Sequence, residues 1–327
     1  MNLLLRALLL LTVPFSTTVA ALEGPEGLLG KTMDAPLFTE KEGSDPVTIL
    51  FTGDMMLGRY IATLRERNGG DFPFTYMPDV IDAVEKELEV EALDLVVGNL
   101  EGPIVEKQIA YGDLVFRFDP EIAPLLKKVG FTTVSLANNH SINQSRAGLD
   151  ETRSHLTAAG VDSFGHPDTP DGEFSFIRYD YPDISIGFLG LHHTDFKLDM
   201  PQTLEVIKRH NEEVDFLIIG IHWGQEYLKI APDYIQDMGH QFVDAGADMI
   251  WGHHPHVVQN SEIYNGAPIY YSLGNFVFDQ YWSQPTQEGL VVGLKLENGE
   301  VSTKEIWVDL VNMGEPKPRV QEEIVLE

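Results

Sequence analysis

The sequence predicts an α/β fold with either one mixed sheet or two sheets packed against each other. Between about residues 47 and 245, short β-branched or apolar runs alternate with amphipathic segments, which is typical of strand–helix units. The pattern then changes to alternating runs separated by Asn265-Gly266 and Asn298-Gly299, two dipeptides that favour type I′ hairpin turns. Folds of this class bind ligands beyond the carboxyl ends of their strands, so the residues that follow each strand are the candidates for function.

The elements can be placed in chain order from the spacing of apolar residues. Apolar and β-branched runs predict strands at residues 47–51, 93–97, 115–118, 132–137, 161–164, 174–179, 184–191, 215–221 and 248–252. Periodic apolar positions predict helices at residues 77–88, 120–129, 148–159, 202–214 and 233–245. Pro78 and Pro232 stand at helix starts, and Gly160 and Gly246 directly follow helix ends, which supports those boundaries.

The two ends of the chain differ in composition from its middle. Residues 1–20 place one positive charge before a short apolar run and then small residues, which predicts a secretory signal peptide; an uncleaved anchor is the alternative. Residues 21–46 predict a flexible lead-in, residues 47–312 a single domain and residues 313–327 an irregular tail. No later stretch is long and apolar enough for a transmembrane helix. We therefore expect a secreted, periplasmic or cell-surface protein.

Charge and cysteine content exclude several classes of function. The chain carries 51 acidic and 22 basic residues, for a formal charge of -29. Nucleic acid is therefore not an expected partner, because phosphate backbones bind clustered Lys and Arg. The chain has no cysteine, which excludes disulfides, thiolate nucleophiles and Cys-type zinc sites. Any metal must be held by His, Asp, Glu or Asn.

Metal-capable side chains follow five of the predicted strands. They are Asp54, Asn99 with Glu101, Asn139 with His140, His222, and the His254-Pro255-His256 pair. Carboxylate, amide and imidazole ligands suit Mn, Fe, Zn or Mg-like ions. The set exceeds what one tetrahedral site needs, whereas two ions sharing a bridging carboxylate would use it. The expected reaction is hydrolysis of a phosphoester or, less commonly, of an amide.

The segments around these residues resemble the CapA family of bacterial capsule and poly-γ-glutamate synthesis proteins. The resemblance covers about residues 47–279 in the order found in that family. It rests on residues 53–54 (GD), 99–103 (NLEGP), 137–140 (ANNH), 222–226 (HWGQE), 252–256 (GHHPH) and 272–276 (SLGNF). The family is similar to the calcineurin-like metallophosphoesterases, which implies a four-layer α/β/β/α sandwich and a dinuclear metal centre.

The resemblance also implies roles for individual residues. Asp54 matches the first metal-binding aspartate, and Asn99 or Glu101 stands where a bridging acid is expected. Asn139 would bind metal, and His140 would stabilise the leaving group or act as general acid. The remaining imidazole ligands would be His222, His254 and His256. The catalytic residues are then His140 and Asp54, and the cofactor is about two divalent ions of Mn, Fe or Zn.

Three positions depart from the metallophosphoesterase pattern. Met56 replaces a histidine ligand, Asn99 replaces a bridging aspartate, and Asn143 replaces an acidic residue after the ANNH segment. One metal position would therefore be weakened, unless Glu101 supplies the missing charge.

Five further residues are candidates for substrate binding. Arg59 and Arg117 could hold an anionic group through paired N–H donors. Trp223 and Glu226 follow His222 and could line a cleft, although packing for the tryptophan and a solvated or histidine-orienting role for the glutamate are the alternatives. Asn275 could close the pocket.

Structural alternatives exist for the metal candidates as well. Asp54 and Glu101 could be turn residues, Asn139 could cap a helix, and His222 could be a core histidine. His253 is expected to point away from its neighbours and serve packing.

Two functions therefore compete. The first is a secreted metal-dependent hydrolase acting on a small phosphoester or on an anionic surface polymer. The second is a non-catalytic accessory protein that binds poly-γ-glutamate or capsule-synthesis proteins. Met56 and Asn99 favour the accessory role, whereas the retained ligand positions favour the hydrolase.

Overall fold

A computed structural model describes residues 45–319. Its strands are β1 (Val47–Met55), β2 (Leu95–Leu100), β3 (Thr133–Ser135), β4 (Asp162–Phe164), β5 (Phe176–Asp180), β6 (Ser185–His193), β7 (Phe216–Trp223), β8 (Met249–His253), β9 (Ser261–Tyr264), β10 (Ala267–Tyr270), β11 (Asn275–Val277), β12 (Glu288–Glu297), β13 (Glu300–Val311) and β14 (Glu315–Pro318). Its helices are α1 (Arg59–Asn68), α2 (Met77–Leu88), α3 (Ile122–Lys128), α4 (Ser145–Ala159), α5 (Met200–Asn211) and α6 (Asp233–Asp244), with a 3-10 turn at Pro285–Gln287. The predicted signal peptide, most of the lead-in and residues 320–327 lie outside the described residues.

The strands form two sheets, as one of the two predicted arrangements requires. The first sheet has eight strands in the order β14-β13-β12-β1-β2-β3-β4, with β11 also paired to β1. The second has six strands in the order β5-β6-β7-β8-β10-β9. Neighbours β1 to β4 run parallel in the first sheet, and β6, β7 and β8 run parallel in the second.

Three apolar cores define four layers. The core between the sheets includes Phe51 and Trp251 from opposite sheets, with ring centroids 5.4 Å apart. A second core packs α2, α3 and α4 against the first sheet, and a third packs α5 and α6 against the second sheet. The order is helices, sheet, sheet, helices, which confirms the α/β/β/α sandwich.

The element predictions were largely confirmed, with three corrections. The predicted strand at 115–118 is reduced to a single parallel bridge between Ile104 and Phe118. Helix Arg59–Asn68 was not predicted, since its polar sequence lacks a clear apolar stripe. The tail from residue 313 is not irregular throughout: Glu315–Pro318 pairs antiparallel with β13.

Both predicted hairpin turns are present. Asn265 and Gly266 have φ values of 48° and 94°, and Asn298 and Gly299 have 54° and 77°, as a type I′ turn requires. Within residues 45–319, none of the helices combines the length and apolar character that crossing a bilayer demands.

Candidate metal centre

The functional residues lie where the carboxyl ends of the parallel strands in both sheets face each other. On β7, Phe216 and Ile218 belong to the core between the sheets. Alternation along a strand therefore turns His222 to the same side. The same rule applied to Met249 and Trp251 on β8 turns His253 inward. His192, His222 and His253 are register neighbours on β6, β7 and β8, so they form a row along the end of the second sheet.

Asp54 faces this row because of an irregularity in β1. Phe51 packs between the sheets, whereas Leu50 packs on the helix side. Simple alternation would place Asp54 with Leu50. The pairing of β1 with β2 shifts register between Phe51 and Asp54, and a bulge of this kind re-aims the residues after it. Asp54 is thereby brought opposite Asn99 and beneath the histidines.

The Asp54 carboxylate is fully buried and held by several donors. Oδ1 accepts from Asn99 Nδ2 at 2.8 Å, and Oδ2 accepts from the backbone N–H of His254 at 3.2 Å. Nδ1 of His253 lies 3.0 Å from Oδ1, and Nδ1 of His256 lies 3.3 Å from Oδ2. Burial acts to raise the pKa of Asp54, but the two imidazoles outweigh it and hold this pKa well below its ordinary value.

Asn99 presents its amide nitrogen to the site. Its Oδ1 accepts from Asn138 Nδ2 at 3.1 Å, and that nitrogen is identified by its second bond, to the Leu100 carbonyl. Asn99 Nδ2 therefore faces Asp54 Oδ1, and it also lies 3.3 Å from Nδ1 of His222. This corrects the sequence-based assignment of Asn99 as a metal ligand, since its oxygen is turned towards Asn138.

Glu101 is the most unusual residue of the site. Its side chain is 0% exposed, and neither carboxylate oxygen has a hydrogen-bond partner among the described residues. Oε1 lies 3.7 Å from Nε2 of His140, 3.9 Å from Nε2 of His222 and 3.8 Å from Nε2 of His256. Burial raises the pKa of Glu101 well above its ordinary value. A buried carboxylate surrounded by imidazoles but bonded to none fits a position that a cation occupies.

His256 is oriented for such a role. Asn275 Nδ2 donates to the Thr286 carbonyl at 2.9 Å, so its Oδ1 is the atom that accepts from Nδ1 of His256 at 3.1 Å. Nδ1 therefore carries the hydrogen, and Nε2, which faces Glu101, carries the lone pair in the neutral ring. Burial lowers the pKa of His256, but Glu101 and Asp54 outweigh it and raise it to about 9. A metal ion at Nε2 would displace that proton.

His140 is also fixed by an amide. The backbone N–H of Phe116 donates to Asn143 Oδ1 at 2.7 Å, which identifies that atom as oxygen; it then accepts from Nδ1 of His140 at 2.9 Å. The imidazole stacks on the Phe116 ring at 3.9 Å. Burial lowers the pKa of His140 to about 4, so at neutral pH its Nε2 carries a lone pair directed towards Glu101.

His222 and His254 form a pair on the opposite side. Nε2 of His222 lies 3.2 Å from Nδ1 of His254. Burial, reinforced by the charge of neighbouring imidazoles, lowers the pKa of His222 well below its ordinary value and that of His254 to about 3. Both rings are therefore neutral near pH 7, which is the form that binds metal.

Two groups of side chains bring their ligand atoms within 4.8 Å of one another. One is the buried group Asp54, Glu101 and His256, and the other is Glu226, His254 and His256, in which Glu226 is exposed. His256 belongs to both. The donors are oxygen and nitrogen only, which fits Mn, Fe or Zn. The residues present therefore fit a divalent metal centre.

Asn139 and Arg59 are two further predicted site residues. Asn139 Oδ1 is buried without a hydrogen-bond partner in residues 45–319, on the wall of a cavity of about 230 Å³ that His192 also lines. Arg59 is paired with Asp279 and lies 5.0 Å from the centroid of the Phe116 ring, and is therefore beside His140.

Two predictions for substrate binding are corrected. Trp223 is 0% exposed, stacks with Phe242 and Tyr271 and belongs to the core under α6, because β7 continues through it and alternation turns it to the helix side. Arg117 pairs with Asp119 at 2.5 Å and donates to the Glu106 carbonyl, so it does not reach the metal centre.

Sequence reasoning also missed the position of His253 and the role of Asn275. His253 packs edge-on against Trp251, as a packing role predicts, but its Nδ1 also lies 3.0 Å from Asp54 Oδ1, which was not predicted. The signal was available: His253 continues the inward alternation of Met249 and Trp251. Asn275 is fully buried and orients His256, so it does not close the pocket against substrate.

Comparison with solved structures shows that the fold is shared. A crystal structure described as a novel phosphatase from Mycoplasma pneumoniae superposes with a TM-score of 0.52 at 13% identity, covering 81% of this chain and 94% of that one. A hypothetical protein from Thermus thermophilus gives a TM-score of 0.50 at 17% identity, covering 79% and 98%. With the two sheets and flanking helices, these likenesses show that the chain shares the fold of these two proteins.

Sequence comparison gives the family. The family "Bacterial capsule synthesis protein PGA_cap" matches residues 48–280. The chain is 31% identical over 272 residues to the PGA biosynthesis protein CapA of Bacillus subtilis (strain 168), covering 78% of this chain and 69% of that protein. It is 26% identical over 297 residues to the capsule biosynthesis protein CapA of Bacillus anthracis, covering 84% and 70%. The chain belongs to this family of capsule synthesis proteins.

Proposed function

We propose that the chain is a metal-dependent hydrolase that cleaves a phosphoester or a bond in an anionic surface polymer, and that it acts outside the cytoplasm in capsule or poly-γ-glutamate synthesis. The observation that carries the proposal is Glu101, a buried carboxylate with no hydrogen bond from any described residue and three imidazole nitrogens within 3.9 Å. Without a cation, such a group destabilises the fold.

The metal would be held by Asp54, Glu101 and His256, with His222, His254 and Asn139 as further candidates. A bound divalent ion would supply an activated water as nucleophile and neutralise charge on the group transferred. About two ions, of Mn, Fe or Zn, match the donor set.

The protein's own residues would do the remaining work. The Asn99 amide and the His254 backbone N–H fix the Asp54 carboxylate. Asn143 keeps the Nδ1 hydrogen of His140 engaged, so Nε2 is the atom that exchanges a proton with the reacting group. Asn275 holds His256 in one tautomer.

Arg59 would orient an anionic group of the substrate. Asp279 accepts from Nε of Arg59 at 3.1 Å and also from Nη2, and the Asp113 carbonyl accepts from Nη1 at 3.2 Å. These bonds leave other N–H groups of the guanidinium available. In a chain with a formal charge of -29, a fixed cation beside His140 offsets the general repulsion of an anion.

The test is turnover by the full chain loaded with Mn²⁺, on a panel of phosphoesters and on poly-γ-glutamate, with His254→Ala beside it. Metal-dependent cleavage of one substrate, lost in the variant without unfolding, is the expected result. Full activity in the variant would defeat the assignment of the site.

A second candidate function is a non-catalytic accessory role in binding poly-γ-glutamate or capsule-synthesis proteins. The observation in its favour is that Asn99 places an N–H donor, rather than a bridging carboxylate, against Asp54. A protein that binds metal and polymer but cleaves no member of the panel would support it.

A further inference from the structure

The Glu226 carboxylate lies outside the set of ligands that the metallophosphoesterase pattern supplies. It follows β7 in a loop, is exposed, and has its ligand atom within 4.8 Å of those of His254 and His256. Exposed glutamates are usually solvated, so proximity alone does not give this one a role. The hydrogen bonds of its loop and the backbone conformation of the 254–256 segment support a role.

The loop that carries Glu226 is fixed to the segment that carries the two histidines. The Tyr227 N–H donates to the Pro255 carbonyl at 2.8 Å, between His254 and His256. Further along, Gln259 Nε2 donates to the Leu228 carbonyl at 2.8 Å. Asn260 Oδ1 accepts from the Ala231 N–H at 2.9 Å. The loop that carries Glu226 is therefore held against the segment that carries the two imidazoles.

The backbone at this junction is strained on both sides. His254, His256 and Tyr227 have φ values of 96°, 56° and 65°, although none of them is glycine. Residues in this conformation are unfavourable on their own and persist where the surrounding structure holds them. The three strained residues flank the place where the ligand atoms of Glu226, His254 and His256 lie within 4.8 Å of one another.

An independent observation points to a ligand here. The buried Glu101 carboxylate has no hydrogen-bond partner in the described part of the chain and lies 3.8 Å from Nε2 of His256, the residue shared by both ligand groups.

We propose that Glu226 is a metal ligand, and that it completes, with His254, a solvent-facing cation position next to the buried position of Asp54, Glu101 and His256. The inference rests on the proposed metal-dependent function. It makes the two positions unequal, because one has buried carboxylates and the other has a single exposed one. The buried position therefore binds a divalent ion tightly, and the solvent-facing position binds weakly and meets the substrate.

The test counts ions rather than turnover. The metal-free full chain is titrated with Mn²⁺, and free Mn²⁺ is read from its six-line EPR signal. The wild type is expected to bind about two ions, and Glu226→Gln to retain the tight ion while the affinity of the weak one falls at least about tenfold. Glu212→Gln is the matched control. Glu212 is exposed and lies between α5 and the amino end of β7, whereas the metal centre lies at the carboxyl ends of the strands.

Equal numbers of ions with equal affinities in the wild type and Glu226→Gln would overturn the inference. An equal loss of Mn²⁺ affinity in Glu226→Gln and Glu212→Gln would overturn it too, because the effect would then be one of net charge. The proposed function is judged separately: a wild type that binds the expected ions but cleaves no substrate leaves the Glu226 assignment standing and defeats the hydrolase.

Discussion

Oε1 of Glu101 lies 3.8 Å from Nε2 of His256, a distance at which the two groups attract each other but share no hydrogen bond. Both side chains are buried, and these two atoms face each other. In a folded interior this arrangement is unfavourable unless a cation lies between the two atoms.

Glu101→Gln should stabilise the metal-free protein at high pH. Above the His256 pKa of about 9, no protonated imidazole offsets the buried carboxylate. Removing its charge at a pH of about 9.5 in EDTA should then raise the free energy of unfolding by about 1–3 kcal/mol. Urea denaturation measures the change. With Mn²⁺ near neutral pH the wild type should instead have the larger free energy of unfolding, since it alone has the complete site. A variant that is less stable than the wild type in both conditions would refute the reasoning.

The stability of the metal-free protein should pass through a maximum near a pH of about 6.5, the ordinary histidine pKa. Below it, stability falls because His140 and His254, with pKa values lowered to about 4 and about 3, are protonated in the unfolded chain and neutral in the fold. Above it, stability falls because the pKa of His256 is raised to about 9, so its contribution is complete below the unfolded pKa and lost as pH rises through the folded one. The alkaline loss should be on the order of a few kcal/mol.

Urea midpoints in EDTA, from about pH 5 to about pH 9.5, measure this profile. In His256→Gln the alkaline fall should be smaller and the acidic one retained. An alkaline fall of unchanged size in the variant would show that another group causes it.

Asn143→Asp should raise the pKa of His140 from about 4. Either oxygen of an aspartate can accept from both the Phe116 N–H and Nδ1 of His140, so the hydrogen bonds are kept while a charge is added. A carboxylate at this distance raises a histidine pKa by about 1–3 units. The imidazole carbon and nitrogen shifts in an NMR titration of the metal-free variant report the value directly. An unchanged His140 pKa would mean that the contact with Asn143 is not formed.

Trp223→Ala should destabilise the fold without changing metal binding. The indole is enclosed by Phe242 and Tyr271 and donates to the Tyr271 carbonyl at 2.9 Å. Loss of a buried tryptophan costs about 3–5 kcal/mol, measurable by chemical denaturation. The folded fraction should bind Mn²⁺ as the wild type does. Weaker binding with unchanged stability would place Trp223 in the site instead.

Most of the fold and the general position of the site can be predicted from the sequence. Strand–helix alternation and the two Asn-Gly turns suffice for the order of elements, because each is a local property of the chain. The convergence of Asp54, Glu101, His222, His254 and His256 follows from one rule, that parallel strands end at the same edge of a sheet. The four-layer arrangement itself came from the family resemblance.

The remaining details depend on contacts between distant segments. The bulge that turns Asp54 inward is set by pairing between β1 and β2. The orientation of the Asn99 amide depends on Asn138, 39 positions away along the chain. Trp223 was misplaced because the strand runs two residues further than its apolar run. Whether Glu226 is solvated or held depends on hydrogen bonds to the 255–260 segment.

The measurement that tests the central claim most directly is the metal content of the purified chain and of His256→Ala, with Glu212→Gln as control. His256 is the residue shared by both ligand groups. After incubation with Mn²⁺ and removal of free ion, elemental analysis should find at least about one tightly bound equivalent in the wild type and the control, and its loss in His256→Ala while circular dichroism stays native. No bound metal in the wild type, or equal metal in His256→Ala, would contradict the account.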